Sequence, residues 1–166
     1  MDLNLADSSA TESLGAALAR SFPGAALAPA VLHLRGELGA GKTTCVRSLL
    51  RSLGVTGLVR SPTYTLVETY VLNGLTCVHV DLYRLQAAVE VEELGLRDFV
   101  GPGCLLLIEW PEKGAAALPP ADMSLTLRYL GNGRSAQLRA ESALGGQWIE
   151  NLGLDTSLVP YVTNLT

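Results

Sequence analysis

Lysine is scarce in this sequence: Lys42 and Lys113 are the only two. Formal net charge is -4, and no stretch concentrates arginine. A chain that grips nucleic acid unaided carries a basic stripe. Direct binding of DNA or RNA is therefore not expected, although an acidic surface suits a basic partner. Cysteine is sparse as well. Cys45, Cys77 and Cys104 are widely spaced among apolar neighbours, with no C-x-x-C pair. They read as small buried hydrophobes of a reducing compartment, with a disulfide or zinc site as the lesser alternative. No apolar run approaches the roughly 18 residues of a membrane span. The longest candidate, Ala25 to Leu34, is broken by Pro29 and His33. The acidic start MDLNLADSS lacks the basic-then-apolar order of a signal peptide, so a soluble, cytoplasmic protein with no membrane partner is expected. Repeats, low-complexity segments and a Ser/His/Asp arrangement are missing too.

What is present is a folded chain. Hydrophobic residues are 48% and charged residues 17% of 166 positions, a globular composition of one-domain size. The reading divides it into a domain over 1–143 and a tail over 144–166. Ser9 with Glu12 has the spacing of a capping box, which predicts a helix running to about Phe22 and stopped by Pro23-Gly24. AVLHLR (30–35) reads as a strand. A helix from about Lys42 follows, with Cys45, Val46, Leu49, Leu50 and Leu53 on one stripe and Gly54 as its cap. Asn73-Gly74 between β-rich runs predicts a hairpin of Tyr64–Leu72 with Leu75–Val80. Residues 86–94 read as a helix closed by Gly95, its Glu90, Glu92 and Glu93 a solvated face. CLLLIE before Trp110 is short and continuously apolar, as a central doubly covered strand is. A second hairpin turns at Gly131-Asn132-Gly133. In the tail, Trp148, Ile149 and Leu152 fit one face of a docked helix, with a mobile or partner-binding segment as alternatives. The class is α/β: a mixed central sheet with a parallel core and antiparallel hairpins, flanked by helices.

The chemistry concentrates in GELGAGKTT (36–44), which fits G-x-x-x-x-G-K-[ST]. Gly36 and Gly41 let the backbone curl so that successive N–H groups point inward at phosphate oxygens, and the following helix adds its positive end. Lys42 reaches the β- and γ-phosphates, the Thr43 hydroxyl binds Mg²⁺, and Thr44 serves a further oxygen. Hydrolysis also needs a metal-holding carboxylate and a water-orienting group. Asp81 and Glu109, each at the end of a predicted strand, are the candidates. His33 and His79 lie within strands and read as packed histidines rather than catalysts. The N-K-x-D signature of guanine readers is absent, which favours ATP.

Five motifs then coincide in order: GELGAGKTT, SPTYTLVE (61–68), HVDLYRL (79–85), EELGL (92–96) and LIEWPEKG (107–114). Over roughly residues 5 to 140 the chain closely resembles the bacterial TsaE (YjeE) family. The resemblance implies a P-loop NTPase fold that binds ATP or ADP with Mg²⁺. It implies work with TsaD and TsaB, which threonylcarbamoylate the adenosine 3′ of the anticodon in tRNAs reading codons that begin with A. ATP hydrolysis would reset that complex between turnovers, with tRNA met only through it. Residue by residue, the resemblance gives Leu38–Thr43 and Lys42 to the phosphates and Thr43 with Glu109 to the metal. Asp81 becomes the catalytic carboxylate, orienting water or the metal shell. Ser61, Thr63, Tyr64 and Thr65 form a switch-like segment, Trp110 packs beside the site, and base contacts fall near Asp7 and Gly133. A small-molecule kinase and a nucleotide-dependent binding module are the rival readings. For the kinase, Arg84 and Arg97 are at hand, but no arginine-rich lid stretch is evident.

Overall fold

Ala30–Arg35 is apolar at nearly every position, so both faces of this strand must be covered. In the computed structural model, which describes residues 1–87 and 89–163, it is a central strand of a seven-stranded sheet. The strands are β1 (Asp2–Leu5), β2 (Ala30–Arg35), β3 (Val67–Leu72), β4 (Leu75–Asp81), β5 (Cys104–Glu109), β6 (Met123–Leu130) and β7 (Gly133–Ala140). Their order across the sheet is β1-β7-β6-β2-β5-β4-β3. β6, β2, β5 and β4 run parallel, and β1, β7 and β3 are antiparallel to their neighbours. The class read from the sequence is the one observed.

Helices α1 (Ser8–Arg20), α2 (Lys42–Ser52) and α5 (Ala143–Gly153) cover one face. The single turns α3 (Glu90–Glu93) and α4 (Pro111–Gly114), with the 3₁₀ turn Leu96–Phe99, close the smaller core on the other. On the first face Leu14, Leu18, Leu32, Leu34, Leu49, Leu50, Leu105 and Leu107 are fully buried. Each is worth ~1.5–3 kcal/mol relative to exposure. No helix among the described residues is long and apolar enough to cross a membrane.

Three local expectations are corrected, and one strand was not foreseen. The N-cap of α1 is Asp7, whose carboxylate accepts from the Ala10 N–H at 2.8 Å, so Ser9 and Glu12 lie inside the helix and form no capping box. β1 was not anticipated. The first hairpin strand begins at Val67, because Leu66 is held at φ 64° and breaks the extended run. Of the helix expected over 86–94, the described residues contain only Glu90–Glu93. The Glu90 carboxylate bends back to accept the N–H groups of Gln86 and Ala87 at 3.0 and 2.7 Å. That closes the turn on itself. Ala88, within this stretch, lies outside the described residues.

In the tail, α5 is packed on the body. Trp148 is fully buried, donates its indole N–H to the Leu18 carbonyl at 2.9 Å, and stacks at a tilt on Phe22. Leu152 is buried beside it, and Ile149 is partly so.

Candidate functional site

The sheet register assembles the site. Leu34, Glu109 and Asp81 lie abreast across the parallel strands β2, β5 and β4. The two carboxylates therefore point from the same face, the one covered by α2, at the edge where β2 passes into the glycine loop. Ligand sites of open α/β sheets occupy this carboxyl edge. Both carboxylates are nearly inaccessible, at 4% for Asp81 and 2% for Glu109.

The loop is built for close approach. Gly36 has φ 138°, and a Cβ there would run into the Leu127 carbonyl. Gly41, at φ 107°, starts α2 and supplies no side-chain cap. The first-turn N–H groups of α2 thus have no side-chain acceptor of their own, an arrangement that suits an anion. Lys42 donates to the carbonyls of Gly36 at 2.6 Å and Glu37 at 2.9 Å. Its ammonium also lies 4.0 Å from the centre of the Trp110 ring, a cation–π contact. Burial pushes the Lys42 pKa down from the usual lysine value, while Glu109 and Asp81 pull it back up. Trp110 itself is held at φ 58°, a costly conformation for a bulky residue, and stacks on Tyr83.

Thr43 donates its hydroxyl to Oε2 of Glu109 at 3.0 Å, and His79 Nε2 lies 2.8 Å from Oε1 of the same carboxylate. Asp81 uses both its oxygens: Oδ1 accepts the Tyr83 N–H at 3.0 Å, and Oδ2 accepts the hydroxyls of Ser61 at 3.1 Å and Thr63 at 2.9 Å. Leu38, Gly39, Gly41, Lys42, Thr43, Thr44, Ser61, Thr63, Asp81, Tyr83, Glu109 and Trp110 enclose a cavity of about 200 Å³. Of the expected switch residues, Ser61 and Thr63 face this cavity and Tyr64 and Thr65 do not. Tyr64 is 82% exposed with the Arg84 guanidinium over its ring, and Thr65 bonds Glu68.

A second cavity, of about 250 Å³, lies across the loop and is lined by Asp7, Ser8, Thr11, Gly39, Ala40, Gly41, Thr44, Asn132 and Arg134. It shares Gly39, Gly41 and Thr44 with the first. Asp7 thus lines a cavity beside the loop. The Gly133 Cα is packed against the Leu5 and Ala6 backbone, and its neighbours Asn132 and Arg134 face that cavity. Contacts that the sequence reading missed hold the loop from β6 and β7. The Tyr129 hydroxyl donates to the Leu38 carbonyl at 2.8 Å, and Arg134 donates to the Gly39 carbonyl at 3.2 Å. His79 was also missed as a site residue. Its one available signal is that it precedes Asp81 by two positions in a strand, and so shares its face.

The donor set fits a magnesium ion better than a metal held by protein alone. Among the described residues no group of three His, Cys, Asp or Glu side chains is placed to hold a metal. Thr43 and Glu109 offer adjacent hard oxygens, and Mg²⁺ characteristically takes one or two carboxylates and completes its shell with phosphate and water. Charge balance agrees. The cavity presents two carboxylates against one ammonium, a balance that a divalent cation beside a polyphosphate would offset.

The family model described as "Threonylcarbamoyl adenosine biosynthesis protein TsaE" matches residues 5–136. The tRNA threonylcarbamoyladenosine biosynthesis protein TsaE of Haemophilus influenzae is 45% identical over 115 residues, 69% of this chain and 73% of that protein. The protein of the same name from Synechocystis is 38% identical over 117 residues, 68% of this chain and 71% of its own length. The crystal structure of Bacillus subtilis YdiB superposes with a TM-score of 0.75 at 27% identity, covering 92% of this chain and 93% of that one.

Proposed function

This chain belongs to the TsaE family of tRNA threonylcarbamoyladenosine biosynthesis, and we propose that within that pathway it is a Mg²⁺-dependent ATPase. It works in the cytoplasm with TsaD and TsaB, meets tRNA through them, and hydrolyses ATP so that the complex modifies many tRNAs rather than one. The observation that carries the reading is the single cavity joining the start of α2, Lys42, the Thr43–Glu109 pair and Asp81.

In this reading the N–H groups of residues 38–44 and the ammonium of Lys42 bind the phosphates. Thr43 and Glu109 hold the metal, which, when bound, supplies positive charge to the phosphate oxygens. Asp81 accepts a hydrogen bond from the attacking water and so aims its lone pair. The water oxygen bonds the γ-phosphorus as the bond to the β–γ bridging oxygen breaks, giving ADP and inorganic phosphate. Ser61 and Thr63, both bonded to Asp81, tie the 61–65 segment to this event. The second cavity, between Asp7 and Arg134, takes the nucleoside. Among the described residues no arginine lines the phosphate cavity, which weighs against a kinase lid, and the net charge of -4 suits a subunit that leaves tRNA to its partners.

The test is multi-turnover tRNA modification by TsaD, TsaB and the adenylate-forming enzyme, with wild-type protein or Lys42→Ala. Product beyond one equivalent of complex is expected with wild type only. Equal product from both would separate the loop from tRNA modification and return the kinase and binding-module readings to consideration.

A further inference from the structure

We infer that His79 is a positioning residue that presets the Glu109 carboxylate for the metal, an inference that rests on the ATPase reading above. His79 lies on β4 opposite Leu107 of β5, so Glu109 stands one pleat further along the same face. The ring is completely buried, and its Nε2 is 2.8 Å from Glu109 Oε1. A carboxylate only accepts, so the ring donates Nε2–H. In the neutral ring that tautomer leaves Nδ1 as an acceptor, and Nδ1 has no partner among the described residues. Buried polar groups are normally satisfied, and an apolar side chain would fill this place without an orphan atom. The hydrogen bonding of this ring is spent on Glu109 alone.

The consequence for Glu109 is geometric. Its oxygens are divided between two donors, Oε1 with His79 and Oε2 with the Thr43 hydroxyl. A glutamate side chain has three rotatable bonds, and one anchored oxygen fixes where the other points. The hydroxyl and carboxylate that would share the metal are then set in place before it arrives, which removes an ordering cost from binding.

The test compares His79→Gln with His79→Asn. Glutamine reaches Glu109 with an amide N–H; asparagine is one methylene shorter and does not. ADP is titrated calorimetrically into the full chain in Mg²⁺ and again in EDTA, and the ratio of the two affinities is the readout. His79→Gln should keep the wild-type ratio. His79→Asn should reduce it by about tenfold or more, with affinity in EDTA unchanged because Lys42 and the loop are untouched. A full ratio in His79→Asn, or its loss in both variants, overturns the inference. Equal weakening in Mg²⁺ and EDTA also overturns it, since that marks a merely structural histidine. If His79→Asn does not fold, His79→Leu removes the same N–H while keeping an apolar filling, and a retained ratio there is equally fatal. A wild-type protein that shows no magnesium increment overturns the ATPase reading itself; a wild-type increment that survives in His79→Asn overturns only the role of His79.

Discussion

Asp81 gives both of its oxygens to donors of its own chain, and those donors come from two different segments. Removing its charge while keeping its shape should therefore disturb chemistry more than binding. Asp81→Asn is expected to hold ADP within about threefold of wild type and to lose turnover by about 10²-fold or more, the scale of an acid–base contribution. Phosphate release and ADP calorimetry measure the two effects separately; undiminished phosphate release would move the water-orienting role elsewhere. Cys45 and Cys77 offer no rival chemistry, since burial pushes their thiols up to about 12. At this scale legibility follows chemistry. Lys42, Thr43, Asp81 and Glu109 are readable as candidates because a phosphate loop calls for those groups and acidic strand ends stand out after apolar runs. His79 is not, because a histidine inside an apolar strand looks like packing until its neighbour on the next strand is known. Gly133 locates only a neighbourhood for a related reason: it opens β7 against the chain before α1, and the residues beside it face the cavity.

Among the elements, α1 and α2 touch through Gly15, where an added Cβ would run into the Cys45 carbonyl and come within 2.8 Å of Ser48 Cβ. Gly15→Ala gains about 1 kcal/mol of helix propensity and meets an overpacking cost of about 1–3 kcal/mol. Net loss of stability is expected, with weaker ADP binding as well, because the helix that is pushed begins with Lys42 and Thr43. The control is Gly146→Ala in α5, where a Cβ meets nothing within 4 Å; it should gain up to about 1 kcal/mol. Urea midpoints of the two variants decide the matter, and a stabilised Gly15→Ala would show that the helices have room to part. The central elements were legible because their signals are local: the apolar runs of β2 and β5, the stripe of α2, and the Asn73-Gly74 turn. β1 was not. Its four residues become a strand only by pairing with β7, Leu3 opposite Ala136. The capping error has a similar root, for β1 ends at Leu5 and makes Asp7 the residue at the turn into α1.

Taken whole, the molecule continues past its nucleotide-site motifs. Trp148 fills the space over α1, and Asn151 and Asp155 bind the end of that helix through the Ser21 carbonyl and Arg20. Trp148→Ala should lower unfolding free energy by about 3–5 kcal/mol, the usual cost of emptying a large aromatic site. Nucleotide affinity of the folded fraction should hold, since the phosphate and nucleoside cavities are lined by other residues. Denaturant unfolding with and without ADP measures both; an unchanged midpoint would mean that α5 only rests on the surface. The wall of the second cavity draws the sharper consequence. One side is Asp7 and Thr11, the other Asn132 and Arg134, and β1 reaches its partner only at residues 134–137. During synthesis the phosphate loop emerges early, yet its flank is closed by chain made some ninety residues later. A ribosome-held chain stopped short of the last hairpin turn would carry the whole of GELGAGKTT and still lack Asn132 and Arg134 from the wall of that cavity. In the proposed reading, the pocket for the nucleoside is therefore completed only after the last hairpin has closed.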